Sequence, residues 1–95
     1  MILAALAAAE PDLRRGAQLW MDNCTVCHGF EGRGDGPGAS SIGRSLPDLT
    51  QAAWWKARSD ERVVTEVAGR LPTSGATLDA PAWADIVAWL RSNAR

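Results

Sequence analysis

The sequence predicts an all-α fold. Three observations carry it. Apolar residues recur at three- and four-residue steps in separate segments, helix-starting residues stand at the heads of those segments, and no stretch alternates as a half-buried strand would. At 95 residues, 46% of them apolar and 22% charged, the chain has the composition and length of one globular domain.

Residues 1–9 are uncharged and apolar and read apart from a domain over 10–95. Ala7-Ala8-Ala9 before Glu10 fits the small-residue cleavage pattern of an export signal, although a basic n-region is missing. The other reading is an extension of the first helix. Neither this stretch nor any other approaches the ~20 apolar residues of a membrane span. Pro11 suits a first helical turn, where its missing N–H costs nothing. From it Leu13, Gly16, Ala17, Trp20 and Cys24 mark one face of a helix ending near Asn23. Residues 29–49 hold Gly29, Gly32, Gly34, Gly36, Gly38 and Gly43 with Pro37 and Pro47, which is irregular backbone pinned by Ile42, Leu46 and Leu49. Thr50 is expected to cap a short helix through Arg58. Ser59 is expected to cap another, carrying Val63, Val64, Val67, Ala68 and Leu71 and ended by Gly69. After a turn-rich stretch from Arg70 to Leu78, Asp79 caps a last helix with Pro81 in its first turn. This helix runs to about Ala94 and shows Trp83, Ile86, Val87, Trp89 and Leu90 on a broad apolar face, with Arg91 and Arg95 complementing its C-terminal dipole.

Ten Lys plus Arg against eleven Asp plus Glu leave a net charge of −1. That balance removes the electrostatic case for a nucleic-acid partner or an anionic membrane surface. The chemistry is concentrated in Cys24-Thr25-Val26-Cys27-His28. Two thiols three positions apart stand on one turn with an imidazole directly after the second. This arrangement lets both sulfurs form thioethers to one haem while His28 reaches its iron. Zinc would need two further nitrogen or sulfur ligands, and the chain has no other Cys or His. A thioredoxin-like dithiol wants a preceding strand, and a disulfide at this spacing would close a loop too small to stabilise much. The alternating glycines lack the Gly-Lys-Ser/Thr ending of a phosphate cradle and are read as letting backbone wrap the porphyrin edge. Asp35 among them is read as a solvated turn residue rather than a calcium ligand.

With these residues the chain resembles a small bacterial class I cytochrome c, from about Asp12 to Ser92. Gly16 and Trp20 stand where the family places a glycine and an aromatic on the first helix, and Trp89 with Ile86 stands on the helix that crosses it. Cys27-His28-Gly29-Phe30-Glu31-Gly32-Arg33-Gly34-Asp35-Gly36-Pro37 and Pro47-Asp48-Leu49-Thr50 look like bacterial members. The resemblance implies the cytochrome c-like fold, with terminal helices crossing and short helices around one covalent haem c and its iron. It also implies that the Pro47 carbonyl accepts the His28 Nδ1–H, fixing the ring and raising its basicity as a ligand.

The pattern departs at the second axial position. Family members place a methionine where Gly69-Arg70-Leu71-Pro72 aligns, and Leu71 has no lone pair to offer. The only methionines are Met1 and Met21, three residues before Cys24; Met21 and the single Lys56 are read as packing or solvated residues. The expectation is a five-coordinate iron with His28 proximal, Leu71 walling the distal side, and a potential below that of Met/His relatives. The function expected is electron transfer with redox partner proteins (a dehydrogenase, reductase or oxidase) rather than enzymatic catalysis, in an exported, periplasmic setting. Two alternatives stand beside it: a haem that binds NO or CO at the open position, or a haem domain docked in a larger redox complex. Trp54-Trp55 bears on the last, since adjacent rings on a short helix do not both face a core; the other reading has one ring lining the haem pocket and the other partly exposed.

Overall fold

Asp12 starts the first helix. In the computed structural model, which describes residues 10–43, 45–68 and 78–95, its carboxylate accepts the Arg15 N–H at 3.1 Å and α1 runs Leu13–Asn23. Pro11 therefore precedes the cap instead of sitting in the first turn. An aspartate supplies the acceptor that an uncapped helix start needs, and proline has none. The chain passes through Cys24 (φ −121°) into a single turn, α2, Thr25–His28. A 3₁₀ turn follows at Ala39–Ser41, then α3 at Ala52–Lys56, α4 at Asp60–Ala68 and α5 at Ala80–Asn93. Among the described residues there is no strand, so the all-α expectation holds. No helix among them is long and apolar enough to cross a membrane. The 1–9 segment, Gly69 and the turn-rich stretch with Leu71 lie outside the described residues.

The other caps divide. Ser59 Oγ accepts the Arg62 N–H at 3.1 Å and Asp79 Oδ1 accepts that of Ala82 at 2.9 Å, as the sequence predicts. Thr50 does not cap α3. Its hydroxyl and N–H both donate to Asp48 Oδ1, at 2.5 and 2.9 Å, and Gln51 takes the cap position without a side-chain bond. The helix is also shorter than expected and stops at Lys56, because the Ser59 cap already begins the next helix.

The core forms where α1 crosses α5. A Cβ on Gly16 would collide with the Asp85 carbonyl oxygen and lie 2.6 Å from its carbon, so only glycine lets the backbones approach. Asp85, 5% exposed, accepts the Asp12 N–H at 2.8 Å and faces Arg15 Nε at 3.7 Å. Its buried charge thus has partners, and the start of α1 is tied to α5. Trp20 and Ile86 are the most deeply buried large side chains, joined by Leu49, Trp55, Val63, Val87 and Leu90. Trp55 is buried and donates its Nε1–H to the Leu49 carbonyl at 2.9 Å. Trp54 stays partly exposed, edge-on to Trp55 with Arg58 stacked 4.2 Å over its ring. One ring goes in and one out, as adjacent positions on a helix require.

Arg91 does more than complement a dipole. Its Nε donates to Asp60 Oδ1 at 2.6 Å, Nη1 to the Trp55 carbonyl at 3.2 Å and Nη2 to the Arg58 carbonyl at 2.8 Å. One guanidinium joins α5 to the end of α3 and the start of α4. Charge-assisted bonds contribute about 1.5–3 kcal/mol each when buried, and this side chain is partly exposed, so Arg91→Ala should cost about 2 kcal/mol in all. A lower denaturant midpoint at unchanged slope checks it. Arg91→Lys should recover little, because an ammonium cannot reach all three acceptors.

Candidate functional site

Cys24 is the joint between α1 and α2. Its N–H donates to the Trp20 carbonyl at 2.9 Å and its carbonyl accepts the His28 N–H at 3.0 Å. These two bonds flank a break in the helix at Cys24 and keep Cys24, Cys27 and His28 within about one turn of each other. Both thiols are free and half-buried. Burial pushes the Cys24 thiol up to about 11 and lowers the imidazole of His28 below its usual value, favouring the neutral ring that can ligate a metal. The His28 ring lies 5.5 Å from that of Trp20, whose Nε1–H donates to the Phe30 carbonyl at 3.2 Å.

The glycine loop folds back onto this turn. Gly34, Gly36 and Gly38 donate their N–H groups to the carbonyls of His28, Cys27 and Val26 at 2.7, 3.0 and 2.7 Å. Alternate residues of an extended loop thus satisfy three successive carbonyls that the end of a short helix leaves without partners. A Cβ on Gly36 would strike the Val26 carbonyl and lie 2.6 Å from that of Thr25; one on Gly38 would lie 2.9 Å from the Val26 side chain. These glycines permit approach to the pentapeptide's own backbone, a use different from the porphyrin-edge wrapping expected of them. Asp35 is exposed, as expected of a turn residue, and its carboxylate lies against Gly29, where any Cβ would clash.

Residues 46–49 run alongside. Leu49 donates its N–H to the Gly32 carbonyl at 2.7 Å, and the Leu46 carbonyl lies 2.7 Å from where a Gly34 Cβ would be. Pro47 sits half-exposed in this run. Buried His28 Nδ1 has no hydrogen-bond partner, so the bond expected from it to the Pro47 carbonyl is not formed in this structure. The backbone contacts at Gly32 and Gly34 place this run, and the imidazole is oriented by packing on Trp20. An unpaired buried ring nitrogen is costly by itself, and it fits a ring made to ligate through its other nitrogen. Leu71 lies outside the described residues. Met21 is 39% exposed on α1 and Lys56 is exposed on α3, which agrees with reading both as something other than ligands.

Asp48 anchors the same run. Hydrogen bonds from the Thr50 hydroxyl and N–H, then the Gln51 amide and the charge of Arg33, hold its carboxyl below the usual carboxylate value. The bound state is thus favoured above the ordinary 3.8, and the benefit disappears as pH falls through the lowered value. Asp48→Asn should therefore be less stable than the parent near neutral pH, with the two converging in acid. Thermal melts across pH test the convergence.

Several of these relations escaped the sequence reading. Two-residue glycine spacing was visible, but nothing in it said that consecutive carbonyls were the target. Asp85, between Trp83 and Ile86 on the apolar face, was the visible sign of a buried polar anchor. The Trp20–His28 contact spans the break at Cys24, so helical spacing alone does not reveal it.

The cytochrome c family model matches residues 13–94. A cbb3-type cytochrome c oxidase subunit FixPc of Rhizobium leguminosarum bv. viciae is 39% identical over 77 residues, 80% of this chain and 23% of that protein. FixP subunits of Rhizobium etli and Rhizobium meliloti are 35% and 32% identical over 73% and 81% of the chain, which covers 20% and 23% of them. The chain thus spans under a quarter of the length of these relatives. No solved structure matches it. With two thiols and a neutral imidazole on one pinned turn, and a family match over nearly its whole described length, the chain belongs to the cytochrome c family and carries that family's covalent haem c.

Proposed function

We propose that the chain is an electron-transfer domain whose haem is held by thioethers from Cys24 and Cys27, with His28 Nε2 as proximal iron ligand. Cys24 at the cap of α2 and Cys27 and His28 within it, with His28 Nδ1 buried and unpaired, support this reading most directly. The haem supplies a one-electron couple between ferric and ferrous iron. The protein's part is to hold α2 rigid through the three glycine bonds, keep the imidazole neutral by burial, and exclude water with the Trp20 ring. Leucine stands at position 71, where the family's methionine aligns, and would offer the iron no second ligand.

The relatives are named as subunits of a cbb3-type oxidase, which supports a larger redox assembly as partner. The haem adds negative charge through its propionates, so the partner face is expected to be basic. The absence of any methionine beyond Met1 and Met21 favours a second reading, in which the open position takes CO or NO. Mass of the matured chain tests attachment: a mass equal to the bare polypeptide refutes it. The ferric spectrum tests ligation. A high-spin signal is expected, with Leu71→Met becoming low spin; a wild type already low spin has another ligand and refutes the five-coordinate reading.

A further inference from the structure

The aromatic rings continue past the site. His28 packs on Trp20 at 5.5 Å between ring centroids, and Trp20 packs on Trp89 at 6.0 Å. Trp20 is 2% exposed, whereas Trp89 is partly exposed on α5. Three rings in sequence thus join the proximal ligand to the protein surface across the α1–α5 crossing. Helix packing needs large side chains there, but not indoles in particular; leucine or phenylalanine would also seal the contact. Indole differs from both in how readily it gives up one electron.

We propose that Trp20 and Trp89 form a relay that carries an oxidising equivalent from the haem, past His28, to the surface at Trp89, with hydrogen peroxide as the oxidant. The proposal rests on the haem reading and on an open iron position. Peroxide takes two electrons, one from ferrous iron and one from the Trp89 indole by way of Trp20. The O–O bond breaks, the Trp89 N–H proton and one solvent proton are consumed, and the products are two waters, ferric iron and a neutral indolyl radical at Trp89.

The surroundings give the relay a direction. The Trp20 N–H is held by the Phe30 carbonyl at 3.2 Å, an acceptor too weakly basic to take the proton. An oxidised Trp20 therefore keeps its proton, remains a strong oxidant and draws an electron from its neighbour. Trp89, reached by solvent, can release its proton to water and trap the charge. Trp54 is a built-in control, because it is also partly exposed but stacks on Trp55 and Arg58, outside this chain of rings.

The test uses the ferrous haem-loaded protein, its haem confirmed by intact mass, given one equivalent of hydrogen peroxide. Radical signals are followed by freeze-quench EPR, and oxygenated tryptophans are located by peptide mass spectrometry. Oxidation is expected at Trp89 well above Trp54. Trp20→Phe should lower it severalfold at Trp89 and leave Trp54 unchanged, with helix content retained. Should that variant fail to fold, Trp89→Phe serves: with the exit closed, bleaching of the haem by peroxide should be severalfold faster. Equal oxidation of Trp54 and Trp89, an unchanged yield in a folded Trp20→Phe, or wild-type bleaching in Trp89→Phe overturns the relay while the haem reading stands. A chain without the haem mass overturns both, and is recognised before peroxide is added.

Discussion

Gly16→Ala should leave a protein that barely holds its terminal helices together. Helix propensity favours alanine by about 1 kcal/mol. Against this, the new methyl lands on the Asp85 carbonyl oxygen, 2.6 Å from its carbon and 3.0 Å from Trp89 Cβ. Two of the three nearest atoms are backbone, so no rotamer change relieves the contact and the helices must separate. Overpacking of this kind costs about 1–3 kcal/mol or more. Separation also draws Asp85 away from the Asp12 N–H and from Arg15, and a buried carboxylate stripped of partners is costly in its own right. The net loss should be about 3 kcal/mol or more, a large share of the ~5–15 kcal/mol of a typical domain. Denaturant melts of the haem-loaded protein measure it. A variant within about 1 kcal/mol of the parent would show that the crossing has slack and that Gly16 is not its contact point.

The same crossing shows what was legible in the sequence. Gly16, Trp20, Ile86 and Trp89 could be picked out beforehand because helical periodicity and close packing constrain residue type strongly. The Ser59 and Asp79 caps were legible for the same reason: a short polar side chain ahead of an apolar stripe has few other uses. Thr50 looked equivalent and was not, because Asp48 two residues earlier competes for its hydroxyl and N–H. No local rule ranks that turn above a cap. The attachment turn was fully visible as Cys24, Cys27 and His28, since its chemistry lies within five consecutive residues. What fixes that turn in space was not visible. The bonds from Gly34, Gly36 and Gly38 to carbonyls 28, 27 and 26 depend on the loop's path, and glycine spacing constrains that path without specifying its target. Arg91 is similar: its three acceptors come from α3, α4 and the link between them, and only the packed helices bring them together.

Gly36→Ala tests whether that loop positions the thiols or merely covers them. Gly36 is not among the glycines with positive φ, so alanine meets no conformational penalty there and the whole effect is steric. Its Cβ would strike the Val26 carbonyl, with the Thr25 oxygen at 2.6 Å and the Cys27 carbonyl carbon at 2.7 Å. All three atoms belong to the turn bearing the haem-attachment residues, so the loop can yield only by breaking its bonds to Cys27 and its neighbours. Gly43 supplies the opposite case, with φ at +80° and nothing within 4 Å of its would-be Cβ. Alanine there should cost about 1–2 kcal/mol through backbone strain alone and leave attachment intact. Gly36→Ala should cost about 3 kcal/mol and, unlike Gly43→Ala, sharply reduce the yield of chains carrying covalent haem. Co-expression with a competent maturation system, followed by intact mass and melting, separates the two effects. Equal haem yields from both variants would mean that α2 keeps its shape without the loop. The turn from Trp20 to His28 would then be sufficient for attachment, and the glycine bonds would contribute stability alone.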